Sequence, residues 1–135
     1  MDQTQTPMKI VIAEDNESLA EIYKVRLELI GYTCTVATDG QKAVELIQAE
    51  LPNLVLLDLM MPVIAGDEVL KRMRSSDWGK STPVYILSNL NEEDAPAGLR
   101  DLGIVGYSVK ANLTDDQIDQ LVNKILRPEL EQSTV

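Results

Sequence analysis

The sequence predicts an α/β fold: a doubly wound, five-stranded parallel sheet with helices on both faces. Short apolar segments alternate five times with segments of helical periodicity, which is typical of strands joined by right-handed helical crossovers. The first, third and fourth apolar segments are apolar almost throughout, as in strands that are covered on both sides. The length of 135 residues fits one domain. The natural strand order for such a sheet is 2-1-3-4-5.

Val, Ile and Leu dominate the predicted strands. The strands are predicted at Lys9 to Ala13, Tyr32 to Ala37, Asn53 to Leu57, Val84 to Leu87 and Val105 to Val109. The single cysteine, Cys34, lies in the second strand and is interpreted as a plain core residue.

Helical spacing predicts three helices between the first four strands. The first ends at Gly31, the second is capped by Asp39 and closed by Pro52, and the third runs from Gly66 to Met73. The residues predicted to face the core are Leu19, Ile22, Tyr23, Leu27 and Ile30 in the first helix, Ala43, Leu46 and Ile47 in the second, and Val69, Leu70 and Met73 in the third.

The last two helices differ in strength. Pro96 and Gly98 oppose helix formation between Glu92 and Leu102, so the fourth helix is expected to be short or mobile. The last helix has a capping box of Thr114 and Gln117 and is stopped by Pro128. Its predicted inner residues are Ile118, Leu121, Val122, Ile125 and Leu126. We therefore predict one domain over residues 8–127, with polar tails at 1–7 and 128–135.

Composition excludes several functions. A net charge of −10 disfavours nucleic acid and anionic membrane surfaces as partners. The absence of histidine excludes a Ser/His/Asp triad, a histidine zinc site and a phosphohistidine on this chain. The amino-terminal segment lacks the basic and apolar parts of a signal peptide, and no apolar run reaches membrane-spanning length, so a cytoplasmic location is expected.

Acidic residues follow two neighbouring strands of the predicted sheet. Glu14 and Asp15 end the first strand and Asp58 ends the third, so the three carboxylates converge at the carboxyl edge. Carboxylates at this spacing repel by about 4 kcal/mol and are stabilised by a cation. Oxygen ligands without His or Cys suit Mg²⁺. The predicted ligands are Asp15, Asp58, the Met60 carbonyl, and Glu14 directly or through water.

The fourth and fifth strands end in Ser88 and Lys110, which the same topology directs to the same edge. A hydroxyl and an ammonium there suit a transferred phosphoryl group, and Asp58 is the best acceptor for it. Each residue alone has a simpler interpretation. Glu14 and Asp15 suit a helix cap, Ser88 a turn and Lys110 a solvated surface, so the prediction depends on their convergence.

These motifs together resemble the receiver domain of bacterial two-component response regulators, which has the CheY-like, flavodoxin-like fold. The resemblance runs from Lys9 to Leu126 and is carried by Glu14-Asp15, Asp58-Leu59-Met60-Met61-Pro62, Gly66, Ser88 and Tyr107-Ser108-Val109-Lys110. It implies that Asp58 accepts a phosphoryl group from a phosphohistidine of a sensor histidine kinase or phosphotransfer protein, with Ser88 and Lys110 contacting that group. The chain would then be a signalling switch that assists only its own modification, rather than an enzyme.

The resemblance also implies a switch and an output. Tyr107, at the family's switch-aromatic position, would swing inward as the loop after the fourth strand closes. A downstream effector would read the face formed by the fourth helix, the fifth strand and the last helix. The chain itself would be a monomer or a phosphorylation-dependent homodimer. From the residues alone, Tyr107 is equally a strand aromatic that packs on the last helix.

Two positions near the site depart from the family pattern. Ala111 replaces the usual proline after Lys110, so a trans bond and a different aim of the lysine are expected. Asn89 replaces a small residue and would narrow the phosphoryl entrance. Met60 and Leu90 place apolar side chains beside Asp58, which predicts slow self-dephosphorylation.

Three other functions stay open at this point. The first is a pseudo-receiver that docks a partner constitutively without phosphorylation. A small magnesium-dependent phosphatase would need a substrate-covering insertion, for which this length has no room. Flavin or dinucleotide binding is disfavoured because no Gly-rich loop follows the first strand.

Overall fold

Five parallel strands form a single sheet in the order β2-β1-β3-β4-β5, as predicted. The computed structural model describes residues 7–129, so most of both predicted tails lies outside the described residues. The strands are β1 (Lys9–Ala13), β2 (Thr33–Ala37), β3 (Leu54–Leu57), β4 (Val84–Ser88) and β5 (Gly106–Val109). Their ends differ from the predicted ends by one residue at most.

Four α-helices cover the sheet among the described residues. They are α1 (Glu17–Leu29), α2 (Gly40–Glu50), α3 (Gly66–Arg74) and α4 (Asp115–Leu126). The predicted caps are present, because the Asp39 carboxylate accepts the Lys42 N–H at 2.7 Å and Thr114 and Gln117 form the reciprocal capping box. Asn16 caps α1 through the Leu19 N–H at 3.0 Å.

The core consists of two apolar clusters, one on each side of the sheet. Alternate residues of β1, β3 and β4 contribute to each cluster, because successive side chains of a strand point to opposite faces. One cluster contains buried residues of α2 and α3, and the other contains buried residues of α1 and α4. The two-sided burial of the central strands confirms the doubly wound arrangement.

The prediction that Ile22 faces the core is wrong. The buried residues of α1 are Ala20, Tyr23 and Leu27, whereas Ile22 is 46% exposed. Val25 and Leu29 are exposed as well, at positions that continue the same side of the helix. The helix therefore has a second apolar stripe, formed by Ile22, Val25 and Leu29, which points away from the sheet.

No fourth α-helix forms between β4 and β5. The connection contains two single-turn 3₁₀ helices, Glu92–Asp94 and Arg100–Leu102, separated by the Pro96 to Gly98 segment. Arg100 joins the two turns through hydrogen bonds of 2.6 and 2.9 Å to the Glu92 carboxylate. The five predicted helices are thus reduced to four because proline and glycine interrupt this segment.

Two single-copy side chains of the sequence are structural. Cys34 is buried, and burial raises the pKa of its thiol to about 12, which confirms the core interpretation. Trp78 is half-buried in the turn before β4 and packs against the cluster beneath α2 and α3. None of the helices between residues 7 and 129 has the length and apolarity that crossing a bilayer requires.

Candidate functional site

Strand register brings the predicted acids together at the carboxyl edge of the sheet. Ala13 at the end of β1 pairs with Leu57 at the end of β3, so Glu14 and Asp58 follow on adjacent strands. The Asp58 N–H donates to the Ala13 carbonyl at 3.0 Å, which extends the pairing to the acid itself. Both side chains are buried, with relative exposures of 2% and 3% for their residues. The convergence of these two acids was predicted and is confirmed.

Lys110 connects the two buried acids. Its ammonium donates to Glu14 Oε1 at 2.7 Å and to Asp58 Oδ2 at 2.9 Å. The lysine side chain is 9% exposed, so these ion pairs are shielded from solvent. The second oxygens of the carboxylates accept backbone N–H groups, from Asn16 at 3.1 Å and from Met60 at 3.0 Å. Each carboxylate is therefore held by one charged and one backbone donor.

The pKa values of Glu14 and Lys110 are both raised, but for different reasons. Burial raises the pKa of the Glu14 carboxyl, and the hydrogen bonds from Lys110 and the Asn16 backbone offset only part of this effect. Burial alone would lower the pKa of Lys110, but its hydrogen bonds to Glu14 and Asp58 outweigh that effect and raise the pKa above its ordinary value. Lys110 consequently stays charged at neutral pH.

Asp15 completes the acidic group from the solvent side. Oxygens of Glu14, Asp15 and Asp58 lie within 4.8 Å of one another, and Asp15 is exposed. Within residues 7–129 the Asp15 side chain makes neither a hydrogen bond nor an ion pair. Three carboxylates against one ammonium leave a surplus of two negative charges. An all-oxygen donor set with this surplus fits a hard divalent cation such as Mg²⁺.

These residues line a cleft of about 310 Å³. Its lining residues are Glu14, Asp15, Asn16, Leu19, Asp58, Met60, Asn89 and Lys110. Asn16 and Leu19 were not predicted as site residues, although their place at the N-cap and in the first turn of α1, directly after the two acids, indicates it. Met60 lies at the rim with 57% exposure, as expected for a residue beside the acceptor.

The loop after β3 returns directly over Asp58. The Gly66 N–H donates to the Leu59 carbonyl at 2.9 Å. A Cβ at Gly66 would lie 2.1 Å from the Asp58 carbonyl oxygen. The loop can therefore close over Asp58 only because residue 66 has no side chain. This close approach fixes the backbone that carries the candidate acceptor.

Ser88 and Tyr107 lie beside the cleft rather than within its lining. Ser88 is fully buried, and its hydroxyl accepts the Leu90 N–H at 3.2 Å. The Tyr107 hydroxyl donates to the Leu90 carbonyl at 2.7 Å, so both side chains hold the same loop residue. Packing of Tyr107 on the last helix is a wrong expectation. The Ile86–Tyr107 pairing places the ring in the α2 and α3 cluster instead.

The expected change in the aim of Lys110 is also wrong. All peptide bonds of residues 7–129 are trans, including the one between Lys110 and Ala111. A 3₁₀ turn, Lys110–Asn112, follows β5 directly, and the lysine still contacts both acids. Leu90 does not line the cleft, whereas the exposed Asn89 does. Asn89 therefore lies at the cleft, and its narrowing of the phosphoryl entrance stays a prediction.

Comparison with known proteins assigns the class. The family model of the response regulator receiver domain matches residues 10–123, and the chain belongs to this family. It is 36% identical over 128 residues to the probable transcriptional regulator ycf27 of Galdieria sulphuraria, covering 94% of this chain and 48% of that protein. The chain thus spans about half the length of the curated relatives it matches.

Two solved structures are similar in sequence and fold. The receiver domain of the Francisella response regulator 1452 is 32% identical, with a TM-score of 0.78 and coverage of 90% of this chain and 98% of that one. The phosphorylated cyanobacterial phytochrome response regulator RcpA is 26% identical, with a TM-score of 0.79 and coverage of 91% and 96%. The protein is accordingly a response regulator receiver domain of two-component signal transduction, with the predicted CheY-like fold.

Proposed function

We propose that Asp58 accepts a phosphoryl group from a phosphohistidine of a histidine kinase or histidine phosphotransfer protein, and that this modification requires Mg²⁺. The observation that carries the proposal is the ammonium of Lys110 held between Glu14 and Asp58 at 2.7 and 2.9 Å. A buried carboxylate with a fixed cation beside it is a suitable nucleophile for phosphorus, because the cation also neutralises the incoming oxygens.

The reaction transfers one phosphoryl group between two proteins. An Asp58 oxygen forms a bond to phosphorus as the phosphorus–nitrogen bond of the donor breaks, and the released imidazole takes a proton from solvent. Lys110 moves from the Asp58 oxygen to a phosphoryl oxygen, and the Ser88 hydroxyl supplies a further hydrogen bond. Glu14, Asp15, Asp58 and the Met60 carbonyl are the proposed ligands of Mg²⁺, which would neutralise charge on the phosphoryl oxygens.

The donor protein is proposed to cover the exposed side of α1. A groove of about 670 Å³ lies between α1 and the start of α4, with Ile22 and Val25 as its apolar residues. Glu17, Glu21 and Asp115 line the same groove, so a helix with apolar anchors and basic flanking residues complements it. The lining of the groove begins at Glu17, two residues after Asp15, so a donor seated in the groove would lie near the acids in the chain.

The output is proposed to depend on the loop after β4. Leu90 is held by Ser88 through its N–H and by Tyr107 through its carbonyl. A phosphoryl oxygen would accept the Ser88 O–H and draw this side chain toward the cleft, and the Leu90 N–H that donates to the same hydroxyl would follow, so the loop and Tyr107 would shift together. A downstream effector would read the resulting surface, which includes the two 3₁₀ turns, β5 and α4.

The test is phosphorylation by a small donor. Incubation with acetyl phosphate and Mg²⁺ should add one phosphoryl group to the intact mass of the protein. The Asp58→Asn variant should show no gain in mass. The exposed Asp101→Asn variant should gain the same mass as the unmutated protein. If the mass of the unmutated protein stayed unchanged, the proposal would be refuted and the pseudo-receiver, which docks its partner constitutively, would be favoured.

Self-dephosphorylation gives a second test of the same site. Met60 is the apolar residue at the rim of the cleft, and we expect it to exclude the attacking water from the acyl phosphate. Met60→Asn should shorten the lifetime of the phosphorylated protein, measured by the decay of the modified mass. An unchanged lifetime would contradict this role of Met60.

A further inference from the structure

The two ends of α4 are attached to the rest of the molecule in different ways. At the carboxyl end, the Asn123 side-chain oxygen accepts the Tyr32 hydroxyl at 2.6 Å. The Arg127 guanidinium lies 4.4 Å from the centre of the Tyr32 ring and donates to the Ile30 carbonyl at 3.1 Å. At the amino end, three acids of α4 surround one cation of α1. These four residues are here called the latch: Arg26, Asp115, Asp116 and Asp119.

The polar atoms of the latch are paired incompletely. Arg26 Nη2 donates to Asp119 Oδ2 at 2.7 Å and to Asp116 Oδ1 at 3.1 Å, and Arg26 Nη1 lies 4.0 Å from an Asp115 carboxylate oxygen. Arg26 Nε and Asp119 Oδ1 are buried, and neither has a hydrogen-bond partner among the described residues. Such atoms are rare in folded proteins, because they lose water without gaining a partner. The shared arrangement, in which three acids divide one guanidinium, therefore has a cost that another pairing would remove.

A second pairing of the latch satisfies both of these atoms. The edge of a guanidinium that Nε and one terminal nitrogen form matches the two oxygens of a carboxylate, so the pair makes two parallel hydrogen bonds. Arg26 and Asp119 are already joined by one bond, and a rotation of the guanidinium would add the other. This forked arrangement releases Asp116, whose side chain is 85% exposed and is hydrated when it is free. The latch thus has two arrangements.

The amino end of α4 has room to move and follows the phosphorylation site closely in the chain. A cavity of about 240 Å³ lies between the two helices and is lined by residues of both and by Lys110. The Lys110 carbonyl accepts the Leu113 N–H at 3.2 Å, in a 3₁₀ turn that ends two residues before the Thr114 cap. A displacement of Lys110 is therefore passed to the start of α4, whereas the carboxyl end stays attached.

We propose that Arg26 is a positioning residue that couples the start of α4 to the phosphorylation state of Asp58. The shared arrangement belongs to the unphosphorylated protein. The coupling rests on the proposed function, in which Lys110 leaves Asp58 Oδ2 for a phosphoryl oxygen. The turn after β5 then follows Lys110, and the latch changes to the forked arrangement. Because such coupling is reciprocal, a substitution that favours the forked arrangement also favours the phosphorylated state.

The latch is tested first without phosphorylation, through the Arg26 Nε–H signal in NMR spectra of the ¹⁵N-labelled protein. Asp116→Ala removes the acid that competes with Asp119 for the guanidinium, so the Nε–H should gain a carboxylate acceptor. We expect a downfield proton shift and at least twofold slower exchange with solvent. The control is Glu68→Ala, which removes an exposed acid from its pair with Arg72 in α3 and should leave the Arg26 signal unchanged. An unchanged Arg26 signal in Asp116→Ala would overturn the two arrangements.

Arg26→Lys separates the forked arrangement from simple charge pairing. An ammonium keeps the positive charge opposite the acids of α4 but lacks the two-nitrogen edge, so it supports only the shared arrangement. The variants are incubated with Mg²⁺ and a subsaturating concentration of acetyl phosphate. The phosphorylated fraction at steady state should rise at least twofold in Asp116→Ala, fall at least twofold in Arg26→Lys and stay unchanged in Glu68→Ala. Equal fractions in the three variants would overturn the coupling.

The coupling and the proposed function fail in different ways. Phosphorylation of the unmutated protein should move the Arg26 Nε–H signal in the same direction as Asp116→Ala does. A gain in mass with an unmoved signal would overturn the coupling. No gain in mass in the unmutated protein would refute the proposed function instead, and the spectra of Asp116→Ala would still decide whether the latch has two arrangements.

Discussion

Replacing Lys110 with methionine tests the electrostatic account of the cleft. The ammonium separates two buried carboxylates whose oxygens lie within 4.8 Å of each other. At an effective dielectric constant of 20 and that distance, two ionised carboxylates repel by about 3.5 kcal/mol. Loss of one partner from a buried ion pair typically costs about 3 to 5 kcal/mol. We therefore expect Lys110→Met to lower the free energy of unfolding by about 3 kcal/mol at pH 7.

The pH dependence separates this effect from a loss of packing. Burial already raises the pKa of the Glu14 carboxyl, and without the ammonium, which lowers it, this pKa rises further in the folded state. The folded variant then binds more protons than the unfolded chain, and its stability is lost as pH rises. The loss of unfolding free energy that Lys110→Met causes at pH 7 should therefore shrink to roughly half at pH 5. Urea denaturation at both pH values measures it, with the exposed Lys124→Met as the control. A deficit below about 1 kcal/mol, or one that is equal at both pH values, would refute the reasoning.

Three further predictions concern other parts of the molecule. Val63 has a φ of +72° at the centre of a turn closed by the Ile64 N–H and the Pro62 carbonyl, and its side chain is 78% exposed. A β-branched residue is strained in that conformation, so Val63→Asn should raise the urea midpoint and stabilise the protein by about 1 kcal/mol. The control, Val105→Asn at another exposed valine, should not stabilise the protein. Equal effects of the two substitutions would contradict the assignment of strain to Val63. Val25→Glu should slow phosphoryl transfer from the donor protein at least tenfold and leave modification by acetyl phosphate unchanged. Leu51→Glu, at an exposed leucine after α2, should affect neither rate, and a loss with acetyl phosphate would mean that the Val25 variant damages the cleft. Cys34 should not react with a thiol reagent at pH 8 until the protein unfolds, because burial raises the thiol pKa to about 12; rapid reaction of the folded protein would show that the strand opens locally.

The convergence of the site could be predicted because it depends on topology alone. In a parallel sheet of order 2-1-3-4-5, every residue that follows a strand lies at the same edge, and Glu14, Asp58 and Lys110 occupy such positions. The approach of Lys110 to both acids did not depend on the missing proline. Its backbone turns into a 3₁₀ helix with a trans bond, and the long side chain reaches the acids from there.

The wrong predictions, for Ile22 and Tyr107, arise where the sequence allows two local interpretations. Helix α1 has two apolar stripes, and periodicity alone does not show which of them faces the sheet. The small side chain of Ala20 selects the buried one, because it allows close contact, and Ile22 then lies outside. Packing of Tyr107 on the last helix, one of two interpretations of this residue, was wrong because the face of a strand residue depends on its register with the neighbouring strand. Its pairing with Ile86 settles the face, and only the structure supplies that pairing.

Trp78 determines what intrinsic fluorescence can measure in this protein. It is the single tryptophan of the chain and lies in the turn that precedes β4, at the amino-terminal edge of the sheet. The cleft is at the other edge, and the five residues of β4 between the two edges span about 16 Å. The indole emission should therefore follow loss of the packed interior and be almost insensitive to metal or phosphate. Optical titrations of the cleft will need a reporter introduced nearer to it.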